Sequence, residues 1–360
     1  MIKFLDITKQ DKKIHKIIFN DIKKIIKKNN FILGEDVFKF EKNFAKYCNV
    51  KYAIGCANGT DALTIALKVL NIPKGSEVII PAMTYCSTAF AVLNAGLKPV
   101  LVDIDHMSSS ISIKDIKNRI TKKTRVIMPV HLYGSAVDID KINEIIKNKK
   151  IIIIDDCSQA HGALYKGKKI GSLGTISCFS LYPGKNLGAY GDAGVITTNN
   201  EVLYRKISNF RNLGSDKKFI HNQVGFNSRL DTIQAAILNR KLPLLTKNNN
   251  KKRKIAKLYD KGIDNLKIEK IYYADDSVYH QYVIMTKKRS LLIKLLEKHN
   301  IPFGMHYPKA IHQLEIFKKY FKKENFKNAE KIAKESLSLP IDPNLEKKHV
   351  DKIISILNSF

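Results

Sequence analysis

The sequence predicts an α/β fold with a buried parallel sheet, followed by a smaller α+β unit. Between about residues 52 and 200, short runs of β-branched residues alternate with segments of helical periodicity. Continuous apolar runs separated by helices are typical of parallel strands covered on both faces. From about residue 200 the pattern becomes mainly helical, and residues 261–360 carry one clear candidate strand. These observations favour one sheet-based domain and a second, smaller unit.

The individual elements follow from the same periodicity. The candidate strands of the first part are the runs Val78–Ile80, Pro99–Val102, Val126–Met128 and Ile151–Ile154. Helix-period segments lie near 60–70, 84–95, 113–120 and 138–148, and later near 289–299, 326–337 and 347–358. The candidate strand of the last part is Ser277–Met285. We expect a large domain over 1–250, in which residues 1–35 form an arm packed on the body, and a small domain over 251–360.

The charge of this 360-residue chain is strongly positive. It contains 63 Lys and Arg against 33 Asp and Glu, a formal net charge of +30, which is a common sign of nucleic-acid binding. However, only eight of the basic residues are Arg, the side chain best suited to bidentate contacts with phosphates and bases. The lysines are also spread along the whole chain. We therefore interpret the charge as a solvated surface and expect no nucleic-acid partner.

The expected location is the cytoplasm. No apolar run approaches the roughly 18 residues of a membrane span, and the first residues turn charged before a signal-peptide core could form. The five cysteines are odd in number and form no CxxC pair. This argues against a disulfide framework or a structural metal site and favours a reducing compartment.

The first candidate site motif is Asn58–Leu63, which opens an apolar helix. A glycine and a small hydroxyl residue at a helix start offer free backbone N–H groups and the positive end of the helix dipole. Such a start suits a phosphate group. An ordinary helix cap would explain the same residues.

The second motif places Asp155 and Asp156 directly after the apolar run Ile151–Ile154. A carboxylate at the end of a buried strand is costly unless it has a cation or a protonated heterocycle as partner. A helix cap or a structural ion pair is the alternative at this point. His161, which follows closely, is interpreted as a structural histidine.

The third motif surrounds Lys185 with glycine and proline between two apolar runs, over Ser177–Gly194. A lysine held in such a loop can have a lowered pKa and react with carbonyl groups, although most lysines are simply solvated. The glycines at 188, 191 and 194 do not fit the G-x-G-x-x-G dinucleotide pattern. A reactive lysine, a buried carboxylate and a phosphate-binding helix start are together the parts that a pyridoxal 5′-phosphate (PLP) site requires.

With these motifs, the chain resembles the DegT/DnrJ/EryC1/StrS family of PLP-dependent sugar aminotransferases over essentially its whole length. The resemblance rests on segments that occur in the family's order: Phe31–Gly34, Asn58–Leu63, Pro81–Tyr85, Pro129–Gly134, Asp156–Gly162, Gly184–Gly188, Gly225–Asp231, His306–Pro308 and Leu339–Pro340. It implies the aspartate-aminotransferase-like fold type I, with a mostly parallel seven-stranded sheet in the large domain. Asp155 stands where Glu is commoner in the family, a conservative difference.

The resemblance also implies roles for the residues around the cofactor. Lys185 would be the Schiff-base lysine that moves the proton, and Asp156 would pair with the pyridinium nitrogen. Gln159 would hydrogen-bond near the ring oxygen, and Tyr85 would stack on the ring. The phosphate would be held by Gly59, Thr60 and Ser180, and by Asn227 of a neighbouring subunit, so that a homodimer forms the active site.

For the substrate side, the resemblance implies a sugar-nucleotide site lined by Phe31, Gly184, Arg229, His306 and Tyr307. Because a family branch with His in place of the lysine performs dehydration, the presence of Lys185 favours transamination. L-glutamate would donate the amino group. The expected acceptor is C3 of a dTDP-3-keto-6-deoxyhexose, in cell-surface polysaccharide or related glycan biosynthesis.

Three alternatives remain open at this point. A UDP-linked 3-keto uronic acid would use Arg229 for its carboxylate, and a 4-keto sugar would be aminated at a different carbon. A non-enzymatic regulator on the same fold would explain the positive charge, but it would leave a complete PLP constellation unused. A NAD-dependent sugar enzyme lacks support because no G-x-G-x-x-G occurs.

Overall fold

A computed structural model describes residues 2–12, 14–217, 219–322 and 324–360, and for Gln10 and Asp11 it describes the main chain. The strands in these residues are β1 Tyr52–Cys56, β2 Glu77–Pro81, β3 Lys98–Val102, β4 Thr124–Ile127, β5 Ile152–Asp156, β6 Leu164–Tyr165, β7 Lys168–Lys169, β8 Ile176–Ser180, β9 Gly194–Thr198, β10 Ser215–Lys217, β11 Ile220–His221, β12 Glu269–Lys270, β13 Tyr282–Met285 and β14 Ser336–Leu339. The α-helices are α1 Ile7–Asp11, α2 His15–Lys28, α3 Glu35–Cys48, α4 Gly59–Lys68, α5 Ser87–Asn94, α6 Ile113–Arg119, α7 Ile139–Ile146, α8 Glu201–Arg211, α9 Thr232–Lys241, α10 Leu245–Gly262, α11 Arg289–Lys298, α12 Glu315–Lys318, α13 Lys327–Glu335 and α14 Lys347–Asn358.

The main sheet has seven strands in the order β1-β9-β8-β5-β4-β2-β3. β9 runs antiparallel to both of its neighbours, whereas the other adjacent pairs are parallel. All five residues of β2 are buried, as expected for a strand covered by helices on both faces. The predicted mostly parallel seven-stranded sheet is confirmed.

This topology brings the ends of three strands to one edge of the sheet. β1 ends at Cys56 and β8 ends at Ser180, and both pair there with Gly194, the first residue of β9. β5 lies next to β8 and ends at Asp156. The sequence motifs that follow these strands therefore meet, because ligands of such sheets collect at the carboxyl ends of parallel strands.

The C-terminal part forms a second sheet, β12-β13-β14, whose pairs are antiparallel. Helices α10, α11 and α14 contribute to its hydrophobic core. The domain boundary expected after residue 250 falls inside α10. This boundary stays a prediction. Near the N-terminus, the Asp6 amide donates to Asp342 over 3.0 Å, and Arg240 pairs with Asp21 of α2 over 2.6 Å.

Two expected elements of the C-terminal part were wrong in extent. The strand expected over Ser277–Met285 covers only β13, because Ser277 Oγ donates to the Gly134 carbonyl and holds the preceding residues in a loop. The helix expected near 326–337 ends at Glu335, and β14 follows at once. The sequence Ser336–Leu339 is short and buried, which periodicity alone does not distinguish from the end of a helix. Among the described residues, no helix combines the length and apolar character needed to cross a bilayer.

Candidate active site

A cavity of about 760 Å³ opens where the motifs meet. It is lined by ten of the thirteen predicted site residues: Gly59, Thr60, Tyr85, Asp156, Gln159, Ser180, Gly184, Lys185, His306 and Tyr307. His306 and Tyr307 come from the C-terminal part, so the cavity lies between the main sheet and that part. Its size is typical of a small-molecule site.

The start of α4 forms one wall of the cavity. Asn58 caps this helix by accepting a hydrogen bond from the Asp61 amide over 2.8 Å, and the first-turn N–H groups of Gly59 and Thr60 remain available to an anion. Gly59 packs so closely on Ser180 that a Cβ there would lie 2.6 Å from the Ser180 Cβ. The site therefore requires glycine at this position, beside a helix start that suits a phosphate.

Asp156 is buried at the end of β5. Its Oδ2 accepts a hydrogen bond from the Thr88 hydroxyl over 2.9 Å, and its Oδ1 accepts one from the Ser158 amide over 3.1 Å. These bonds stabilise a negative charge and fix the direction of the carboxylate. The side chain can thus hold a proton on a heterocyclic nitrogen in the cavity.

Lys185 is half-buried in the cavity wall. Its backbone N–H donates to the Tyr182 carbonyl over 2.9 Å, which closes a turn in the loop. Burial lowers the pKa of Lys185 to about 8, and the negative charge of Asp156 partly opposes this shift. A lysine whose pKa lies near neutrality is an effective nucleophile and proton carrier.

Histidines near Lys185 remain neutral. Burial, with the charge of Lys185 adding to it, lowers the pKa of His161 to about 3 and that of His306 to about 4. The pKa of His280, which also lines the cavity, falls well below its ordinary value for the same reasons. Lys185 therefore shares its surroundings with uncharged rings, and Asp156 supplies the nearby negative charge.

A closed set of hydrogen bonds joins the two parts of the chain at the cavity wall. Gln159 accepts from the Tyr133 amide over 2.7 Å and donates to the Tyr307 hydroxyl over 2.9 Å. The Tyr133 hydroxyl donates to the His306 carbonyl. Tyr85 is about half exposed, and its ring centroid lies 5.6 Å from that of Tyr307. Gln159 thus lines the cavity and at the same time holds Tyr307 of the C-terminal part in place.

Comparison with known proteins decides the family. The DegT/DnrJ/EryC1/StrS aminotransferase family matches residues 12–358, nearly the whole chain. The chain belongs to this family. It is a PLP-dependent aminotransferase with the fold type I architecture.

Three relatives match this aminotransferase over all or nearly all of both chains. The dTDP-3-amino-3,6-dideoxy-α-D-galactopyranose transaminase of Aneurinibacillus thermoaerophilus is 41% identical, over 100% of this chain and 99% of the relative. A protein of Geobacillus stearothermophilus named "Pleiotropic regulatory protein" is 37% identical, over 100% and 98%. The UDP-2-acetamido-2-deoxy-3-oxo-D-glucuronate aminotransferase of Pseudomonas aeruginosa is 36% identical, over 100% of both chains.

A solved structure is similarly close. DesV of S. venezuelae, in complex with a ketimine intermediate, superimposes with a TM-score of 0.96 at 34% identity. The match covers 99% of this aminotransferase and 98% of DesV. The fold is therefore shared over nearly the full length of both chains.

The side chains in the cavity fit PLP. The first-turn N–H groups of α4, beside the close contact of Gly59 with Ser180, suit a phosphate, and the two Asp156 hydrogen bonds prepare a carboxylate for the ring nitrogen. Lys185 would provide an amine for the carbonyl of the cofactor. These are the three groups that PLP chemistry needs from a protein.

The sequence did not reveal several residues of the site. Phe4 and Leu5 reach the cavity from the N-terminal segment, and Phe4 stacks on His306 with centroids 6.1 Å apart. Ser228 donates to Asp61 over 2.7 Å and accepts from the Ala57 amide over 3.2 Å, bracing the start of α4. Residues so distant along the chain leave no local signal, because only the tertiary fold makes them neighbours.

Three predicted site residues lie outside this cavity. Arg229 donates to Asn212 over 3.2 Å, and Asn227 pairs with the same asparagine in an isolated bridge. Phe31 is 41% exposed, and its carbonyl accepts from the Thr232 amide over 3.0 Å. The single chain does not bring Phe31, Asn227 and Arg229 to Lys185.

A buried group behind Asp156 consists of His131, Asp155 and Cys157, whose ligand-type atoms lie within 4.8 Å of one another. His131 Nδ1 accepts a hydrogen bond from the Val137 amide over 3.1 Å, so the ring carries its proton on Nε2. That nitrogen faces Asp155 Oδ1 at 3.8 Å. A metal ion on Nε2 would need the proton on Nδ1 instead, so the hydrogen bond favours an Asp–His pair over a metal site.

Proposed function

We propose that this aminotransferase moves the amino group of L-glutamate to C3 of a dTDP-3-keto-6-deoxyhexose. The observation that carries the proposal is the placement of the Lys185 amine, with its lowered pKa, in one cavity with Asp156 and the open start of α4. The same residues would act in both halves of the reaction, first with the donor and then with the keto-sugar.

When bound, PLP supplies an electron sink that stabilises negative charge at the carbon next to the amine. The chain's residues prepare the site for this chemistry. Gly59 and Thr60, at the positive end of the α4 dipole, would hold the phosphate together with Ser180. Asp156 would keep a proton on the ring nitrogen, and Tyr85 would cover one face of the ring.

Lys185 would move the proton between the two carbon atoms that exchange it. With a pKa of about 8, the Lys185 amine loses its proton at little cost in free energy. It can then take a proton from a carbon acid. His161, His280 and His306 are neutral, so these rings add no positive charge beside the lysine. His306 and Tyr307, held by Tyr133 and Gln159, would orient the sugar beside the lysine.

The sugar is proposed from the names of two relatives. The 41% identical relative is named for a 3-amino-3,6-dideoxy sugar carried on dTDP, which supports amination at C3 of a 6-deoxy sugar. The 36% identical relative acts on a UDP-linked 3-oxo uronate. That name supports the second candidate, in which Arg229 binds the substrate carboxylate.

The active site is proposed to be shared between two copies of the chain in the cytoplasm. Asn227, Arg229 and Phe31 lie outside the cavity of their own chain, as expected if they serve the neighbouring subunit. Asn227 would then reach the phosphate of the partner site. The product would enter a cell-surface polysaccharide, including lipopolysaccharide O-antigen, or a related glycan.

A substrate panel tests the reaction. Purified enzyme with PLP and glutamate is offered the dTDP-3-keto-6-deoxyhexose, the UDP-linked 3-keto uronic acid and a 4-keto sugar, and the products are analysed by mass spectrometry. We expect amination of the dTDP-linked sugar at C3. Product from the 4-keto sugar alone would exclude the proposed position.

The variant Lys185→Ala tests the role of Lys185 in turnover. The matched control is Lys168→Ala, which changes an exposed lysine. We expect Lys185→Ala to lose turnover while Lys168→Ala retains it. The wild-type enzyme should be yellow, and borohydride should bleach it and leave a stable adduct on Lys185. A colourless protein without this adduct would instead favour a non-enzymatic regulator, a role that the name of the Geobacillus relative raises.

A further inference from the structure

A second lysine, on α10, is buried without belonging to the cavity. Lys252 is 5% exposed. Its Nζ donates to Asn186 Oδ1 over 3.1 Å and to the His280 carbonyl over 3.3 Å. Asn186 directly follows Lys185 in the chain, and His280 lines the cavity. The ammonium group of Lys252 thus contacts two segments that form the wall around Lys185.

Both polar atoms of the Asn186 side-chain amide make hydrogen bonds. Its Nδ2 donates to Asn249 over 2.9 Å and to the Val278 carbonyl over 3.0 Å. Its Oδ1 faces both Lys252 Nζ and His280 Nδ1, the latter at 3.2 Å. Because an ammonium only donates and a backbone carbonyl only accepts, these partners allow one orientation of the amide.

This orientation also sets the proton of His280. Since Asn186 Oδ1 is an acceptor, the His280 Nδ1 opposite must carry a hydrogen. The ring is neutral, so its Nε2 keeps a free lone pair. One hydrogen-bond network therefore joins α10, the Lys185 loop and the segment before β13, and it extends to the His161 carbonyl through Asn249 over 2.8 Å.

We infer that Lys252 is a positioning residue for Lys185, acting through Asn186 to fix the backbone of the lysine loop and the Nδ1–H form of His280. The inference rests on the proposed role of Lys185. An apolar side chain would fill the same space without the desolvation cost of an amine. What the amine adds is a pair of directed hydrogen bonds across three segments.

The electrostatics agree with such a role. Burial lowers the pKa of Lys252 to about 7, and the charge of Asp342, in the segment after β14, opposes the shift. The titratable ring of His280 responds to both Lys252 and Lys185. Whether Lys252 is protonated or neutral, its nitrogen retains hydrogens for Asn186 and the His280 carbonyl.

The test compares Lys252→Met with Lys254→Met, an exposed lysine of the same helix. Both variants are prepared as PLP-loaded enzyme. The visible absorbance of the Lys185 adduct is followed against pH to obtain its apparent pKa, and kcat and KM are measured with the keto-sugar. Lys252→Arg keeps donors in place and serves as the rescue.

We expect the apparent pKa in Lys252→Met to rise by about one unit, because a loosened loop admits water around the Lys185 nitrogen. The value of kcat should fall about tenfold with KM changed less than about twofold. Lys254→Met should match the wild type, and Lys252→Arg should restore most of both properties. If Lys252→Met does not fold, Asn186→Ala removes the acceptor instead and should give the same rise.

Unchanged pH titration and kcat in Lys252→Met would overturn the inference. So would an arginine variant as defective as the methionine variant, because a purely steric role would then suffice. Neither result touches the proposed function, which fails only if the wild-type enzyme forms no adduct at Lys185 or transfers no amino group.

Discussion

The Thr88 hydroxyl donates a hydrogen bond to Asp156 Oδ2 over 2.9 Å and thereby joins the first turn of α5 to the end of β5. Thr88 is itself buried and lies 3.0 Å from the Thr84 hydroxyl. The carboxylate that would face the PLP nitrogen is therefore held from a second element, whose sequence carries no acidic or basic signal. Such support of a functional side chain from behind fixes its direction before the ligand binds.

Thr88→Val is predicted to lower kcat about tenfold, since a hydrogen bond to a charged group contributes roughly 1.5–3 kcal/mol. The change keeps the shape of the side chain but removes the donor. Thr88→Ser retains the hydroxyl and should remain close to the wild type. Steady-state kinetics of both variants decide the matter, and equal activity in the two would show that the bond is unimportant.

Gly59→Ala is predicted to destabilise the protein by about 1–3 kcal/mol, because the new methyl group would lie 2.6 Å from the Ser180 Cβ. PLP affinity should fall as well, since Ser180 would be displaced from the phosphate. The control is Gly184→Ala, whose Cβ would meet Tyr182 at an ordinary 3.6 Å. Urea unfolding of the two cofactor-free variants measures their free energies of unfolding. Equal values for Gly59→Ala and Gly184→Ala would contradict the prediction.

The lowered pKa of Lys185 predicts a pH-dependent stability. Its pKa is about 8 in the folded chain and 10.5 in the unfolded one, so between these values the unfolded chain binds the extra proton. The stability cost is fully present below pH 8 and disappears as the pH rises to 10.5.

Cofactor-free Lys185→Met should therefore be more stable than the wild type at neutral pH, with the difference shrinking towards pH 10.5. Urea unfolding across this range measures the free energies. Lys168→Met, which changes an exposed lysine, should show no such trend. A gap between wild type and Lys185→Met that stays constant with pH would disprove the shifted pKa.

Phe4→Ala is predicted to raise KM for the keto-sugar about threefold to tenfold, with a smaller effect on kcat. Phe4 lines the cavity and stacks on His306, and an aromatic contact of this kind contributes about 0.5–1.5 kcal/mol. Phe360→Ala, which changes an aromatic residue packed against the C-terminal core and outside the cavity lining, provides the control. Equal KM values for the two variants would exclude a substrate-side role of the N-terminal segment.

Many strands of the large domain could be predicted from the local pattern of apolar residues. Runs such as Ile151–Ile154 are apolar because both faces of the sheet are buried, so each run marked a strand of the sheet. The same pattern failed at Ser277–Met285, where the bond from Ser277 to the Gly134 carbonyl keeps the first residues out of the strand. That bond spans 143 positions, and periodicity contains no information about such contacts.

By itself, the sequence determined which groups are proposed for the chemistry of the site, because Lys185, Asp156 and the Gly59–Thr60 helix start each follow a recognisable strand or loop. Only the tertiary structure decided their support: Thr88 behind Asp156, Phe4 against His306, and Lys252 beneath the lysine loop. Reactive groups are set by residue type and local geometry, whereas their orientation depends on partners far along the chain. These partners become neighbours only when the hydrophobic core closes around the sheet.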